Sequence, residues 1–183
     1  MDMRAANMPA VPVLETDRMI LRGHRPDDFD ALHATWSDPD VLRFLGITSQ
    51  STQDSQSRLL RYIGHWAAYG WGYWLAKDKA SGLYVGDIGL GWHRRAIVPE
   101  IDTMPEIGWV LSVRFHGKGY ATEGATAARD WADRHLDAAQ TCAIFHPDNT
   151  PSMRIAEKLG YRFWQMGTYH GDTPIWVRDR KIG

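Results

Sequence analysis

The sequence predicts an α+β (α/β) domain: a mixed, mostly antiparallel central sheet of about six to seven strands flanked by helices. Three observations predict it. Helical spacing of apolar residues is concentrated between about residues 26 and 68, ahead of most strand-like runs. Short aromatic and β-branched runs bounded by turn-forming residues then follow in the spacing of hairpins. Between them, an apolar run beginning at Glu106 stops at a glycine-rich turn where a helix of small residues begins. A length of 183 residues is that of one domain with enough apolar sequence for a core. We divide the chain into a small, proline-containing N-terminal tail over residues 1–12, expected to be mobile, and a single domain over residues 13–183.

Met19, Ile20 and Leu21 centre the first strand, ending at Arg22. Pro26 suits the first turn of a helix, and Asp27, Asp28 and Asp30 suit its positive end. Phe29, Leu32 and Trp36 share one face of it. Asp38 caps a short helix expected to run from Pro39 through Leu45, and Leu59, Ile63 and Trp66 mark a third helix over residues 53–68. Gly70 to Ala76 and Leu83 to Trp92 are antiparallel strands around a turn at residues 77–82. With nine tryptophans in the chain, the aromatic residues here read as core filling ahead of a substrate-facing wall. Residues 93–105 form a polar loop with Pro99 and Pro105, placed to border a site. After the central strand, Ala121, Ala125, Ala128, Trp131, Ala132 and Leu136 share a mostly small helical face that lets the helix approach the sheet closely. Thr141 to His146 is a strand, Thr150 and Pro151 open a helix ending at Gly160, and residues 161–168 and 174–178 form a closing hairpin.

A formal net charge of −1 gives no electrostatic reason to expect a nucleic-acid or lipid surface. The single cysteine, Cys142, excludes an internal disulfide and a cysteine-rich metal site, and the histidines lack metal-ligand spacing. Cys142 itself reads as a buried small hydrophobe. No run approaches the roughly 20 apolar residues of a membrane span, and the N-terminus lacks a signal-peptide core, so the expected location is the cytoplasm.

Two stretches carry chemistry. Arg114-Phe-His-Gly117-Lys118-Gly119-Tyr120-Ala121 combines two glycines, which let the backbone curl and aim N–H groups at one point, with the positive end of a helix and two cationic side chains. As residues alone this is either an ordinary strand-to-helix turn or a seat for a polyphosphate. His116 within it reads as a solvated spacer. Asn149 and Ser152, at the start of the later helix, are either capping residues or ligands.

The whole pattern Arg-x-x-Gly-x-Gly-Tyr-Ala, between a strand and a helix, resembles the coenzyme A pyrophosphate loop of the GNAT acetyltransferases. It has neither the lysine-serine/threonine ending of a nucleoside-triphosphate loop nor the third glycine of a dinucleotide fingerprint. Asn149-x-x-Ser152, followed by Arg154, Glu157-Lys-Leu-Gly160 and Tyr161, resembles the second signature of the same family. The opening Leu14-Glu-Thr-Asp-Arg-Met-Ile-Leu-Arg22 resembles its RimJ/RimL-type branch. The resemblance implies the GNAT fold, acetyl-coenzyme A as co-substrate without a metal, and direct attack by an amine of a small molecule or a protein N-terminus. A homodimer is left open; nucleic acid and membrane are not implied as partners. It places the pantetheine along Leu111 to Val113, the pyrophosphate on Arg114, Gly117, Lys118, Gly119, Tyr120 and Ala121, and Asn149 against the cofactor arm. It makes Ser152 the acid beside the sulfur, since residues 149–159 contain no tyrosine, and Glu106 the base, acting directly or through water. Glu100 and Asp102 are alternatives for binding a cationic acceptor. A different class of reading, an acyl-coenzyme A sensor on the same fold, is separated from an enzyme by turnover.

Overall fold

The computed structural model describes residues 10–43, 45 and 47–180. Its strands are β1 (Leu14–Glu15), β2 (Met19–Arg22), β3 (Tyr73–Asp78), β4 (Tyr84–Gly91), β5 (Glu106–Leu111), β6 (Gln140–Ile144), β7 (Arg162–Thr168) and β8 (Asp172–Asp179). The helices are α1 (Phe29–Trp36), α2 (Pro39–Leu42), α3 (Thr52–Tyr69), α4 (Tyr120–His135) and α5 (Thr150–Lys158). All the strands join one sheet of order β1-β2-β3-β4-β5-β6-β8-β7. The two-residue β1 brings the strand number to eight, one above the expected range. Only β5 and β6 run parallel, because α4 carries the chain back across the sheet between them.

Local signals set most boundaries. Ser51 and Asp54 exchange hydrogen bonds as a capping box at the head of α3, and Gly70 ends that helix in the left-handed conformation, φ 72°. The second helix is shorter than its pattern suggested and stops at Leu42. Most of the stretch expected to be a tail lies outside the described residues. Its last residues are packed: Pro12 accepts a 2.8 Å hydrogen bond from the Trp74 indole, and Val11 lies against the core.

The sheet separates two layers. On one face Met19, Leu21, Trp74, Ile88 and Ile107 meet Ala125 and Ala128 of α4 and Ala156 of α5, the alanines being fully buried. Here Trp66, Trp74 and Trp131 pack mutually edge-to-face with centroids 4.8–5.6 Å apart, so these rings are core filling. On the other face α1 and α3 bring Leu32, Trp36, Leu59 and Tyr62 onto Tyr73. Ile97 and Ile101, from the loop over residues 93–105, cover Cys142 and Ile175.

What positions a site is a parting of strands. β5 stays in register with β4 from Gly91↔Glu106 through Gly86↔Leu111. It pairs with β6 only at Glu106↔Cys142, supported by the Cys142 N–H to the Pro105 carbonyl, 3.0 Å. Past Glu106 the two strands diverge, while β6 remains paired with β8 along its length. Every second residue of β5 therefore directs N–H and C=O toward a gap in the middle of the sheet.

Candidate active site

The gap leads to the glycine-rich stretch. β5 ends at Leu111, one residue before Ser112 bonds back to Val85 of β4, N–H to carbonyl, 2.9 Å. A 3-10 turn over Val113–Phe115 follows, so Val113 is exposed on a turn instead of extending the strand as expected. Gly117 and Gly119 both take positive φ, 69° and 83°, and Gly119 is the N-cap of α4. Having no side chain, Gly119 cannot cap the helix, and among the described residues no side-chain cap is made at that position. The first amides of α4, from Tyr120 and Ala121 on, face outward with the positive end of a sixteen-residue helix behind them.

Polar contacts over long sequence distance hold this loop. Arg18 donates to the Lys118 carbonyl at 2.8 Å and to Glu123 of α4 at 2.7 Å, and its guanidinium lies 4.1 Å over the Tyr120 ring. Tyr120 donates its phenol to Asp78, 2.8 Å. Lys118 turns its ammonium onto the Arg114 carbonyl, 2.8 Å, while Arg114 itself is exposed. The side chain of His116 is not merely solvated: Nε2 lies 2.9 Å from the Leu111 carbonyl and ties the loop to the end of β5. Arg18 was visible in the sequence only as part of the opening phrase; its role depends on a contact across a hundred residues.

The α5 side of the gap holds the second signature. Asn149 is the N-cap of α5 and accepts the Ser152 N–H at 3.2 Å, so capping accounts for its carbonyl oxygen. The Ser152 hydroxyl receives the Trp109 indole N–H, 3.3 Å, and Phe145 lies 5.9 Å from Trp109. Ser152, Trp109 and Phe145 thus close on one another from α5, β5 and the end of β6.

Side chains alternate along β5, so Glu106, Gly108 and Val110 face away from Trp109, toward α1, α3 and the 93–105 loop. Glu106 is 7% exposed and is clamped by Arg95, with Nε and Nη2 at 2.7 and 2.8 Å from its two carboxylate oxygens. Burial opposes the Arg95 charge, but the hydrogen bond and charge of Glu106 together with the Tyr169 hydroxyl outweigh it and hold the guanidinium pKa above its ordinary value. Gly108 admits the Tyr73 phenol: a Cβ there would stand 2.3 Å from its oxygen. His93 lies beside them, its Nε2 3.9 Å from Glu106 and without a hydrogen-bond partner. Burial pushes its pKa down to about 4, against a smaller opposing pull from Glu106, so it is neutral at neutral pH. Tyr73, His93 and Arg95 were not singled out in the sequence, because nothing local marks them. Of the alternative acids, Glu100 is exposed, while Asp102 is half-buried and engages Trp92 through its backbone carbonyl. Cys142 is fully buried with its thiol pKa pushed well up by burial, which disqualifies it as a nucleophile.

Glu106 and Ser152 therefore belong to opposite sides of the sheet, with the parting strands between them.

The chain matches the family described as acetyltransferase (GNAT) domain over residues 18–162. It is 31% identical over 183 residues to the uncharacterized protein YkkB of Bacillus subtilis (strain 168), covering 95% of this chain and 98% of that one. It is 28% identical to the uncharacterized N-acetyltransferase p20 of Bacillus licheniformis, over 81% of this chain and 82% of the relative. Among solved structures, a protein of Bordetella pertussis assigned to the GnaT family superposes with a TM-score of 0.80 at 28% identity, covering 91% of this chain and 99% of that one. A RimL ribosomal L7/L12 α-N-protein acetyltransferase in complex with coenzyme A shares the fold at 16% identity, TM-score 0.73, over 94% and 99% of the two chains. The chain belongs to the GNAT acetyltransferase family and is an acetyl-coenzyme A-dependent N-acetyltransferase.

Proposed function

We propose that the donor lies in the gap between β5 and β6, with its pyrophosphate at the head of α4, and that the amine arrives on the face of β5 that carries Glu106. The observation that carries this reading is the parting of the two strands immediately upstream of a helix whose start has no side-chain cap. Acetyl-coenzyme A supplies an acetyl thioester. The chain supplies the rest. Backbone N–H groups of Gly117 to Ala121 bind the pyrophosphate, with Arg114 and Lys118 adding charge. The free edge of β5 near Leu111 holds the pantetheine and offers an N–H to the oxyanion that forms as the amine attacks. Ser152 protonates the departing thiolate from the α5 side, and Asn149 fixes the turn that presents it.

Glu106 takes up the amine proton. Both of its oxygens are engaged by Arg95, so we route the proton through a water on their remaining lone pairs. Acceptors in this reading are primary amines of small molecules or protein N-termini in the cytoplasm. Assignment to the RimJ/RimL-type branch rests on the opening phrase Leu14 to Arg22 and on the fold shared with ribosomal-protein acetyltransferases.

Calorimetry with coenzyme A, followed by thiol release from acetyl-coenzyme A across amino acids, peptides, polyamines and aminoglycosides, tests the proposal. Binding with turnover of at least one amine is expected. Binding with no turnover anywhere in the panel would make the chain a sensor.

A further inference from the structure

The flank of α3 over the acceptor face carries charge that the reaction does not use. Arg58 and Arg61 sit one turn apart. Among the described residues six arginines pair with a carboxylate within 4 Å, and neither Arg58 nor Arg61 is among them. Carboxylates of the elements packed around this flank are engaged elsewhere. Asp54 caps α3 with Ser51, Asp87 accepts from His24 and Trp36 at 2.7 and 2.8 Å, and Glu106 is taken by Arg95. Arg58 lies 3.3 Å over the Trp36 ring and reaches Gln50 only at 3.4 Å. Its Nε and the Gln50 side-chain amide nitrogen are both buried without an acceptor. Two buried donors with no acceptor are costly unless something fills the place.

Arg61 joins this spot to the reaction centre. It follows Arg58 by one turn of α3, and its neighbour Tyr62 stacks on Tyr73 with ring centroids 4.8 Å apart, where the Tyr73 phenol meets Gly108 of the strand that carries Glu106. One turn further along α3, His65 accepts the Trp92 N–H at 2.9 Å, which fixes this flank against the end of β4 next to His93. An amine approaching Glu106 along this flank of α3 therefore meets two guanidinium groups that no carboxylate pairs within 4 Å among the described residues. A polyamine or aminoglycoside brings only positive charge to them and is repelled.

We infer that the acceptor is an amine that also carries an anionic group, a carboxylate or a phosphate, received by Arg58 and Arg61 while the amine faces Glu106. The inference rests on the acetyl-transfer reading above and narrows its acceptor. A planar carboxylate or a phosphate matches the guanidinium fork and supplies the acceptors that Arg58 Nε and Gln50 lack. Arg58 and Arg61 are specificity residues in this scheme and take no part in proton transfer.

The test is thiol release from acetyl-coenzyme A by the full chain with matched acceptors: amino acids against their carboxamides, an aminoalkyl phosphate, and a polyamine. An anionic acceptor is expected to exceed its neutral counterpart in kcat/KM by at least about tenfold, the carboxylate and phosphate arms deciding which anion is read. Arg61→Gln, on an exposed position, is expected to raise KM for that acceptor about tenfold, with Arg61→Lys recovering much of the loss and calorimetric affinity for coenzyme A unchanged. Preference for the carboxamide or the polyamine, or an unchanged KM in Arg61→Gln, overturns the inference. Absence of thiol release with every amine, while coenzyme A binds, overturns the transfer reading and this inference with it.

Discussion

Glu106 shows how one residue answers to two demands. Its carboxylate is the partner that keeps Arg95 tolerable in a largely buried position, and it is also the proton acceptor proposed for the amine. Glu106→Gln removes both roles. Leaving a buried guanidinium unpaired costs on the order of 3 kcal/mol, so a simple loss of activity would be ambiguous. The double variant Glu106→Gln/Arg95→Met removes the unpaired charge. It should regain most of the stability lost by the single variant, measured by urea unfolding, yet keep a kcat at least about a hundredfold below that of the parent chain. The pH profile separates proton transfer from attraction. A base gives a rising limb that the variants lack, whereas a charge that only attracts the ammonium raises KM for the acceptor and leaves the limb in place. Recovery of kcat in the double variant would reduce Glu106 to a structural partner of Arg95.

Among the elements, the loop between β5 and α4 is the one whose conformation was legible in the sequence, because its determinants are local. Gly119 sits at φ 83°, a conformation that costs an L-residue about 1–2 kcal/mol, and a Cβ there would meet Arg18 Nη2 at 3.3 Å. Gly119→Val should move the first amides of α4 and weaken coenzyme A binding more than tenfold, about 1.4 kcal/mol, in calorimetry. The circular dichroism spectrum should stay that of the folded chain, since the residue lies at a helix start and outside the core. Unchanged affinity would remove the pyrophosphate assignment. The same locality explains why the helices, the closing hairpin and the N-cap Asn149 could be read from spacing and turn residues. It also explains what could not be read. The strap from Arg18 to Lys118, the Arg95 clamp on Glu106 and the Trp109 bond to Ser152 join residues that only the tertiary fold brings together, and residues 93–105 could be read as a polar loop bordering a site but not as the source of that clamp. The two-residue β1 carries too few residues to show a period.

At the scale of the whole molecule, the face of β5 that carries Glu106 couples stability to pH through His93. Its ring lies beside Tyr73 of β3 and Glu106 of β5, and burial there lowers its pKa from 6.5 to about 4, with Glu106 pulling the other way and the positive charges of Arg95 and Arg61 adding to the fall. At pH 7 it is neutral whether the chain is folded or unfolded and contributes nothing. As pH falls below 6.5 the unfolded chain binds a proton at this position, while the folded chain resists until about pH 4. Stability therefore falls across that window, by about 3 kcal/mol when the shift is converted at 1.36 kcal/mol per unit. The carboxylates held low by hydrogen bonds and charge, Asp28 with Arg22 and Glu123 with Arg18, lose their contribution only at lower pH, below their ordinary values of 3.8 and 4.5. The two effects thus separate on the pH axis. His93→Phe keeps an aromatic ring against Tyr73 and cannot take the proton. Urea unfolding from pH 7 to pH 4.5 should show the parent chain losing stability more steeply than the variant, which keeps the shallower slope of His65, a ring whose pKa burial also lowers, with the two falling together below that range. Parallel slopes for the two chains above pH 4.5 would mean that His93 titrates normally and that this face of the sheet is wetter than its packing indicates.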